Sequence, residues 1–410
     1  MSERASLEDL YRDLHAHPEL GFEEHRTAGI AAERMRALGL DVIEGIGGTG
    51  VAAVLENGDG PVVWLRADMD ALPVEELTGL EYASTVSVVG PDGADTKLMH
   101  ACGHDMHVTW LIGAMEELAA ALSEWSGTVV AIFQPAEETI AGARAMIADG
   151  LLDRVPRPSV VLGQHVAPFP AGIISVTSGA AMAGVDDLTI VLHGRGGHGS
   201  RPETTIDPVL AAASTVVRLQ SVVSREVTPG KLAVLTVGRL HAGTKSNIIP
   251  DHAELDVNIR SVEPEVRDRV LGSVRRIVEA EATASGMTVP PQITVNAVAP
   301  ATVNSPEHTE MLRNRFVTEW GDRVIDYGTV SGSEDVGELA IAAEAPLVFW
   351  ITGGSDPATV AAAQAAGRFE QDIPSNHSPY FAPVLHPTIE RGVQALVLGA
   401  RTFLAPPISR

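Results

Sequence analysis

The chain has one cysteine, Cys102, among 410 residues, so no disulfide can form within it and nothing asks for an oxidising compartment. Positive charge is scarce: 29 lysines and arginines stand against 53 aspartates and glutamates, a formal net charge of -24. That balance repels phosphate backbones and anionic lipid heads, which excludes nucleic acid and membrane surfaces as expected partners. No apolar run approaches the ~20 residues that span a bilayer. The first residues, with Glu3, Glu8 and Asp9, put acids where a secretory leader needs a basic segment followed by an apolar one. The expectation is a cytoplasmic protein. Aromatic residues are only 4% of the chain, and Trp64, Phe133, Phe169 and Trp350 fall near strand ends, where core packing is their expected use.

What the chain has in quantity is patterned apolar sequence. Hydrophobic residues make up 45%, and a chain this long divides into two or three domains. Residues 6–17 and 23–38 carry apolar side chains at helical spacing (Leu7, Leu10, Leu14; Ile30, Met35, Leu38), with Pro18 and Gly21 between them. His15, His17 and His25 read as structural or surface groups. The runs 50–56 and 61–66 flank Asn57-Gly58-Asp59-Gly60, a hairpin signal, and the second run leads into Asp68 and Asp70. A helix over 108–122 precedes a fully buried strand over 128–133 that ends in Gln134-Pro135-Ala136-Glu137-Glu138. A short helix over 142–150 follows, then a buried strand over 159–165 with His165 at its exit.

From residue 186 the texture changes. Leu188, Ile190 and Leu192 alternate with more polar residues, as do Ala253, Leu255, Val257 and Ile259, which marks a sheet with one wet face. Helices over 208–224 and 264–284 and strands over 231–239 and 291–298 complete the order β-α-β-β-α-β, that of a ferredoxin-like split βαβ unit. The expected fold is therefore α/β, with a main domain of residues 1–185 and 298–410 and an inserted domain at 186–297. In the last segment a helix over 306–320, a buried strand over 346–352 and a helix through 398 are expected. The alanine-rich run 356–367 reads as a mobile loop.

The residues able to do chemistry concentrate at a few places. Met99-His100-Ala101-Cys102-Gly103-His104-Asp105-Met106-His107 packs the cysteine and three histidines into nine residues. Cys102 and His104, two apart on an extended or looped backbone, can converge on one metal ion, although a buried cysteine beside surface histidines would give the same letters. Adjacent residues on a strand face opposite ways, so Glu137 and Glu138 serve one site only if Pro135 has turned the chain into a loop. Together Cys102, His104, Glu138, His165 and His377 form a ligand set suited to zinc, manganese, cobalt or nickel. Five ligands exceed the needs of one tetrahedral zinc and fit a two-metal hydrolytic site, leaving Glu137 as a proton acceptor. The glycine-rich stretch Gly194-Arg195-Gly196-Gly197-His198-Gly199-Ser200 lacks a phosphate loop's lysine and opens no helix, which argues against nucleotide binding.

Taken in chain order, Arg66-Ala-Asp68-Met-Asp70-Ala-Leu-Pro, the Met99-to-His107 stretch, Gln134-Pro-Ala-Glu137-Glu138, Gly197-His198 with Pro202, Ser333-Glu334-Asp335 and Asn376-His377-Ser-Pro resemble the aminoacylase and carboxypeptidase-like amidohydrolases of peptidase family M20. The resemblance is to the branch of hippurate hydrolases, N-acyl-amino-acid amidohydrolases and auxin-conjugate hydrolases. It implies a catalytic α/β/α domain with a mixed sheet, and a smaller lid that also forms a homodimer. It implies two divalent ions, zinc foremost, on Cys102, His104, Glu138, His165 and His377, with Cys102 bridging and Glu137 as general base. Asp70 matches the acid that orients the site, and His198 the histidine that reaches across the dimer to the scissile carbonyl. Asn247 and Arg260 would lie near the substrate carboxylate. The expected reaction is hydrolysis of the amide bond of an N-acyl amino acid. A dipeptidase or carboxypeptidase with the same metals, and a non-catalytic metal-binding sensor, are the alternatives. Against the family pattern, the loop after His198 reads Gly-Ser-Arg-Pro-Glu, and the run 356–367 is unusual.

Overall fold

The computed structural model describes residues 3–90 and 93–407. It divides into two compact units: one runs up to Ala181 and takes in Val303–Gly328 and the chain from Asp335 onward, the other is Met182–Thr302 with Thr329–Glu334. No helix among the described residues is long and apolar enough to cross a membrane.

The first unit is built on a mixed eight-stranded sheet. Its spatial order is Asp41–Ile46, Gly50–Asn57, Gly127–Gln134, Val62–Asp68, Val160–Pro170, Leu347–Ser355, Ile174–Ser175 and Val324–Ile325. Val62–Asp68 is parallel to both its neighbours, and Val160–Pro170 is parallel to Leu347–Ser355. Such strands are covered on both faces, hence their continuous apolar runs. Val63, Leu65 and Ala67 join Val129, Ala131 and Phe133 in one core with residues of the helices His25–Ala37, His104–Ala120, Pro306–Trp320 and Thr388–Phe403. Trp64, Val130 and Ile132, the alternate residues, are equally buried.

The expected hairpin between 50–56 and 61–66 does not form. Gly127–Gln134 lies between the two strands, antiparallel to Gly50–Asn57 and parallel to Val62–Asp68, and Gly50–Asn57 takes its hairpin partner from Asp41–Ile46. The Asn-Gly-Asp-Gly turn reverses the chain but crosses the start of the inserted strand. There a Cβ on Gly60 would stand 2.9 Å from the Cα of Gly127, and one on Gly127 would stand 2.5 Å from the Pro61 carbonyl oxygen. Gly60, one of the glycines that suggested a tight turn, is needed for this close crossing.

Other expectations also need correction. The helix expected from 108 starts at His104, because Gly103, in the left-handed conformation at φ 85°, turns the chain directly into it. The strand expected to end at His165 continues to Pro170, because Leu347–Ser355 pairs alongside and places Ile351 opposite His165. The run 356–367 contains a helix, Pro357–Ala365. Alanine is the best helix former, proline suits the first position, and Asp356 caps the end by accepting from the Thr359 N–H at 2.8 Å. Val360 and Ala363 pin it in a small apolar cluster with Ile373.

The second unit has a four-stranded antiparallel sheet in the order Ala233–Ala242, His252–Ser261, Gly184–His193, Gln292–Ala299. Leu188, Ile190, Leu192, Leu255, Val257 and Ile259 share a core with the inner faces of the helices Pro208–Glu226 and Pro264–Ala284. Asp207 caps the first of these helices, accepting from Val209 N–H at 2.8 Å, with proline at the first helical position.

Candidate active site

Two parallel strands of the first unit finish side by side, Asp68 opposite Gln134, at the carboxyl edge where open α/β sheets present functional groups. Pro135 ends the second strand, and Ala136 at φ 48° bends the chain so that Glu137 and Glu138 leave on a turn rather than on opposite faces. Asp70 holds that turn: its Oδ1 accepts from the Glu137 N–H and its Oδ2 from the Glu138 N–H, each at 3.0 Å. The Cys102 turn is pressed onto the next strand. A Cβ on Gly103 would lie 2.4 Å from Val166 Cγ1, so glycine is needed there. His377, itself left-handed at φ 70°, is tied to the same turn by its N–H donating to the Ala101 carbonyl at 2.8 Å.

Side chains separated by as much as 275 positions then meet. Cys102, His104 and His165 offer ligand atoms that all lie within 4.8 Å of one another, as do those of Cys102, Glu138 and His377, and of His104, Glu137 and Glu138. Cys102 Sγ is 3.4 Å from His165 Nε2, and His377 Nε2 is 3.3 Å from Glu138 Oε2. Two buried atoms at the centre, His104 Nε2 and Glu138 Oε1, have no hydrogen-bond partner. Buried polar atoms are rarely left so, and these two fit a cation. The histidines are oriented for the same purpose. His165 Nδ1 donates to the Val166 carbonyl at 2.7 Å, which leaves the Nε2 lone pair facing Cys102. His104 Nδ1 faces Asp70 Oδ1 at 3.3 Å, which presents Nε2 to the cluster.

The electrostatics agree. Burial alone would lower the His104 pKa, yet Asp68, Asp70 and Glu138 raise it to about 10, so this field holds a positive charge strongly. A divalent cation would answer it in place of the proton. Burial holds the Cys102 thiol well above its usual range, reinforced by Glu138, Glu137 and Asp68, so only a cation at the sulfur would make it a thiolate. Burial and His107 hold His165 well below the usual imidazole range, neutral as a ligand must be.

Comparison with known proteins agrees with this geometry: the pattern of peptidase family M20/M25/M40 matches residues 64–375. The chain belongs to that family. It is 38% identical over 338 residues to a hippurate hydrolase of Campylobacter jejuni, covering 82% of this chain and 85% of that one. It is 37% identical over 347 residues to thermostable carboxypeptidase 2 of Saccharolobus solfataricus, covering 83% and 84%. A Bacillus subtilis crystal structure described as a dinuclear metal binding peptidase of the M20 family superposes with a TM-score of 0.75 at 30% identity, covering 97% of each chain. This M20 protein is a hydrolase.

The structure adds residues to the M20 site that the sequence did not single out. His107 is wholly engaged, with Nδ1 on Asp68 and Nε2 accepting from the Val166 N–H at 2.8 Å, so it supports the strand rather than offering a ligand atom. Burial would raise the Asp68 carboxyl, but His104, Arg66 and His107 hold it well below the usual range. Arg66 is the buried centre of a network with Asp68 at 2.6 Å, Gln134 at 3.0 Å and Asp335 at 3.3 Å. Asn376 donates to the carbonyls of Cys102 and Val166 at 3.2 and 3.1 Å, and so fastens the Cys102 turn to the strand carrying His165. Only their place within the motifs pointed to Asp68, His107 and Asn376, because their partners are far away in sequence.

Three expected site residues lie in the second unit. His198 and Asn247 are neighbours: Gly197–His198 pairs with Ile248–Ile249, and the Gly199 N–H donates to the Asn247 carbonyl at 2.9 Å. His198 is exposed, and its Nδ1 accepts from the Ser200 N–H at 3.1 Å. In the neutral ring this leaves the proton on Nε2. Arg260 stands on the wet face of the four-stranded sheet, and its Nε donates to Asn258 Oδ1 at 2.8 Å.

Proposed function

We propose that this protein hydrolyses the amide bond of N-acyl amino acids, releasing a carboxylic acid and a free amino acid, with two divalent ions held by Cys102, His104, Glu138, His165 and His377. The observation that carries the reading is the meeting of these five groups around two unpartnered buried ligand atoms, with Glu137 beside them. The donor set of one thiol, three imidazoles and a carboxylate favours zinc and accommodates manganese, cobalt or nickel. Bound divalent ions polarise a carbonyl and bring the pKa of water they hold to about 7. Glu137 accepts the proton of the attacking water at its carboxylate and returns it to the departing amine nitrogen. Asp70 keeps Glu137 and Glu138 on their turn throughout, through the two backbone N–H groups it accepts. A buried thiolate ligand suits a reducing compartment, so we place the enzyme in the cytoplasm.

The segment 186–297 acts as lid and dimerisation domain in this reading, on a catalytic domain of residues 1–185 and 298–410. Support for a homodimer comes from Leu210 and Val217, 66% and 74% exposed and two turns apart on one helix. The strand Ala233–Ala242 also has no neighbour on its outer side among the described residues. His198, its Nε2–H free to donate, contributes to the oxyanion bound by a second copy. Arg260 and Asn247 receive the substrate carboxylate, for which a guanidinium offers two parallel donors.

The test is a substrate panel on the zinc-loaded and manganese-loaded protein. Hippurate and N-acetyl amino acids should be cleaved at least tenfold more efficiently than dipeptides. Preference for dipeptides would make the enzyme a peptidase, and metal binding without turnover of any amide would make it a sensor.

A further inference from the structure

Glu24 is a wholly buried acid that the proposed reaction does not use. It stands immediately before the helix His25–Ala37, where a carboxylate ordinarily caps the helix, yet its side chain makes no capping bond. Glu19 caps that end instead, its two carboxylate oxygens accepting from the Arg26 and Thr27 N–H groups at 2.8 Å each. Glu24 reaches across 112 positions to accept from the Ala136 N–H at 2.8 Å through Oε1, while Thr49 donates its hydroxyl to Oε2. Three successive N–H groups, those of Ala136, Glu137 and Glu138, are thus taken by two carboxylates, Glu24 and Asp70.

The surrounding chain is pressed against the same turn. A Cβ on Gly21 would lie 3.0 Å from Ala136 Cα, and the next residue, Phe22, is forced to φ 66°, a conformation bulky side chains rarely adopt. Leu20 bridges to Ala71, and the Ala71 N–H donates to the Glu19 carbonyl at 2.8 Å, so the segment 19–24 touches both the Asp70 exit and the Glu137 turn. Ala136 is left-handed at φ 48°, which for a residue with a Cβ persists only when its surroundings impose it.

We propose that Glu24 is a positioning residue for the reaction: by holding the Ala136 peptide it sets the place of the Glu137 carboxylate. The proposal rests on the assignment of Glu137 as general base. A base must stand within hydrogen-bond reach of its proton, and a displacement of about 1 Å costs on the order of 100-fold in rate. Asp70 continues to hold the Glu138 N–H without Glu24, so metal binding should survive its loss. Gln at this position keeps an acceptor oxygen for Ala136, and the Thr49 hydroxyl can turn to accept from the new amide.

The experiment compares E24A and E24Q with the parent, each loaded with two equivalents of zinc. It measures kcat and KM on hippurate, bound zinc, Tm, and hydrogen–deuterium exchange of the peptide spanning residues 134–141. E24A should lose about 10- to 100-fold in kcat with KM within about threefold and zinc retained, and its 134–141 peptide should exchange at least about tenfold faster. E24Q should keep a third or more of the parent kcat and the parent exchange rate. Equal losses in E24A and E24Q, a fall in kcat matched by lost zinc, or unchanged kcat and exchange in E24A would each overturn the proposal. Should E24A not fold, T49V removes the hydroxyl that orients Glu24; faster 134–141 exchange with a smaller fall in kcat supports the role, and parent behaviour overturns it. If the zinc-loaded parent cleaves no amide, the failure belongs to the proposed reaction. Exchange then decides alone: faster in E24A but not E24Q supports the brace, and no change overturns it.

Discussion

Replacing Glu137 by Gln separates the base from the ligands. Glu137 is 5% exposed and sits on a turn whose N–H is already fixed by Asp70 at 3.0 Å, so an amide of the same shape keeps the packing and the backbone. What it cannot do is accept a proton. A positioned general base contributes about 100- to 10,000-fold, or about 2.7 to 5.4 kcal/mol of barrier, and kcat of Glu137→Gln should fall by that amount. Glu137 Oε2 lies 3.8 Å from His104 Nε2, so the lost charge also weakens the hold on a cation. The assay is therefore run at saturating zinc, with metal content measured on the same sample and hippurate turnover followed by release of glycine. Turnover within tenfold of the parent at full metal content would refute the role of Glu137. A rate that simply follows lost zinc would instead make Glu137 a sixth ligand.

His198→Ala should lower kcat while leaving the dimer intact by light scattering. Mixing it with Glu137→Gln protomers should restore up to about a quarter of parent activity, because about half of the dimers are then mixed and each mixed dimer carries one complete site of two; mixtures no more active than their components would place His198 in its own subunit's site or outside catalysis. Gly392→Ala should destabilise the first unit by about 3 kcal/mol or more. Its Cβ would fall 2.1 Å from the Trp110 ring, which is fully buried and fixed by Nε1 donating to the Thr388 carbonyl at 2.9 Å. A Tm within about 2 °C of the parent would show that the two helices can part without cost.

The readings that held and those that failed divide by the range of the interactions behind them. Helices such as Pro264–Ala284 and Pro306–Trp320 were legible because proline and apolar spacing act within one element. The buried strand Gly127–Gln134 was legible from its apolar run, but not its place between two others, which no local signal carries. The helix start at His104 was hidden because His104 to Met115 is buried all round, so no apolar stripe marks its first turn. The five clustered candidate ligands stood out because cysteine and histidine are uncommon, one and 14 in the chain, and because all five fall at strand ends or in short motifs. Their supports did not: Asp68 meets His107 across 39 positions, Glu24 meets Ala136 across 112, and Asn376 meets Cys102 across 274.

Hydrogen bonding also sorts four neighbouring carboxylates that look alike in sequence. Asp68 spends its oxygens on His107 and Arg66, and Asp70 spends both of its on backbone N–H groups and His104. Both are tied into buried bonds, each of which would cost about 1 to 3 kcal/mol to break. Glu138 keeps Oε1 unpartnered while Oε2 faces His377, which supports its proposed role as a ligand. Glu137 Oε2 faces His104 Nε2 from 3.8 Å, beyond a direct hydrogen bond. Two adjacent glutamates thus divide the chemistry by their place on the turn. In the proposed reaction the one whose backbone N–H meets Asp70 Oδ2 serves as a metal ligand, and the one before it, whose N–H meets Oδ1, serves as the base.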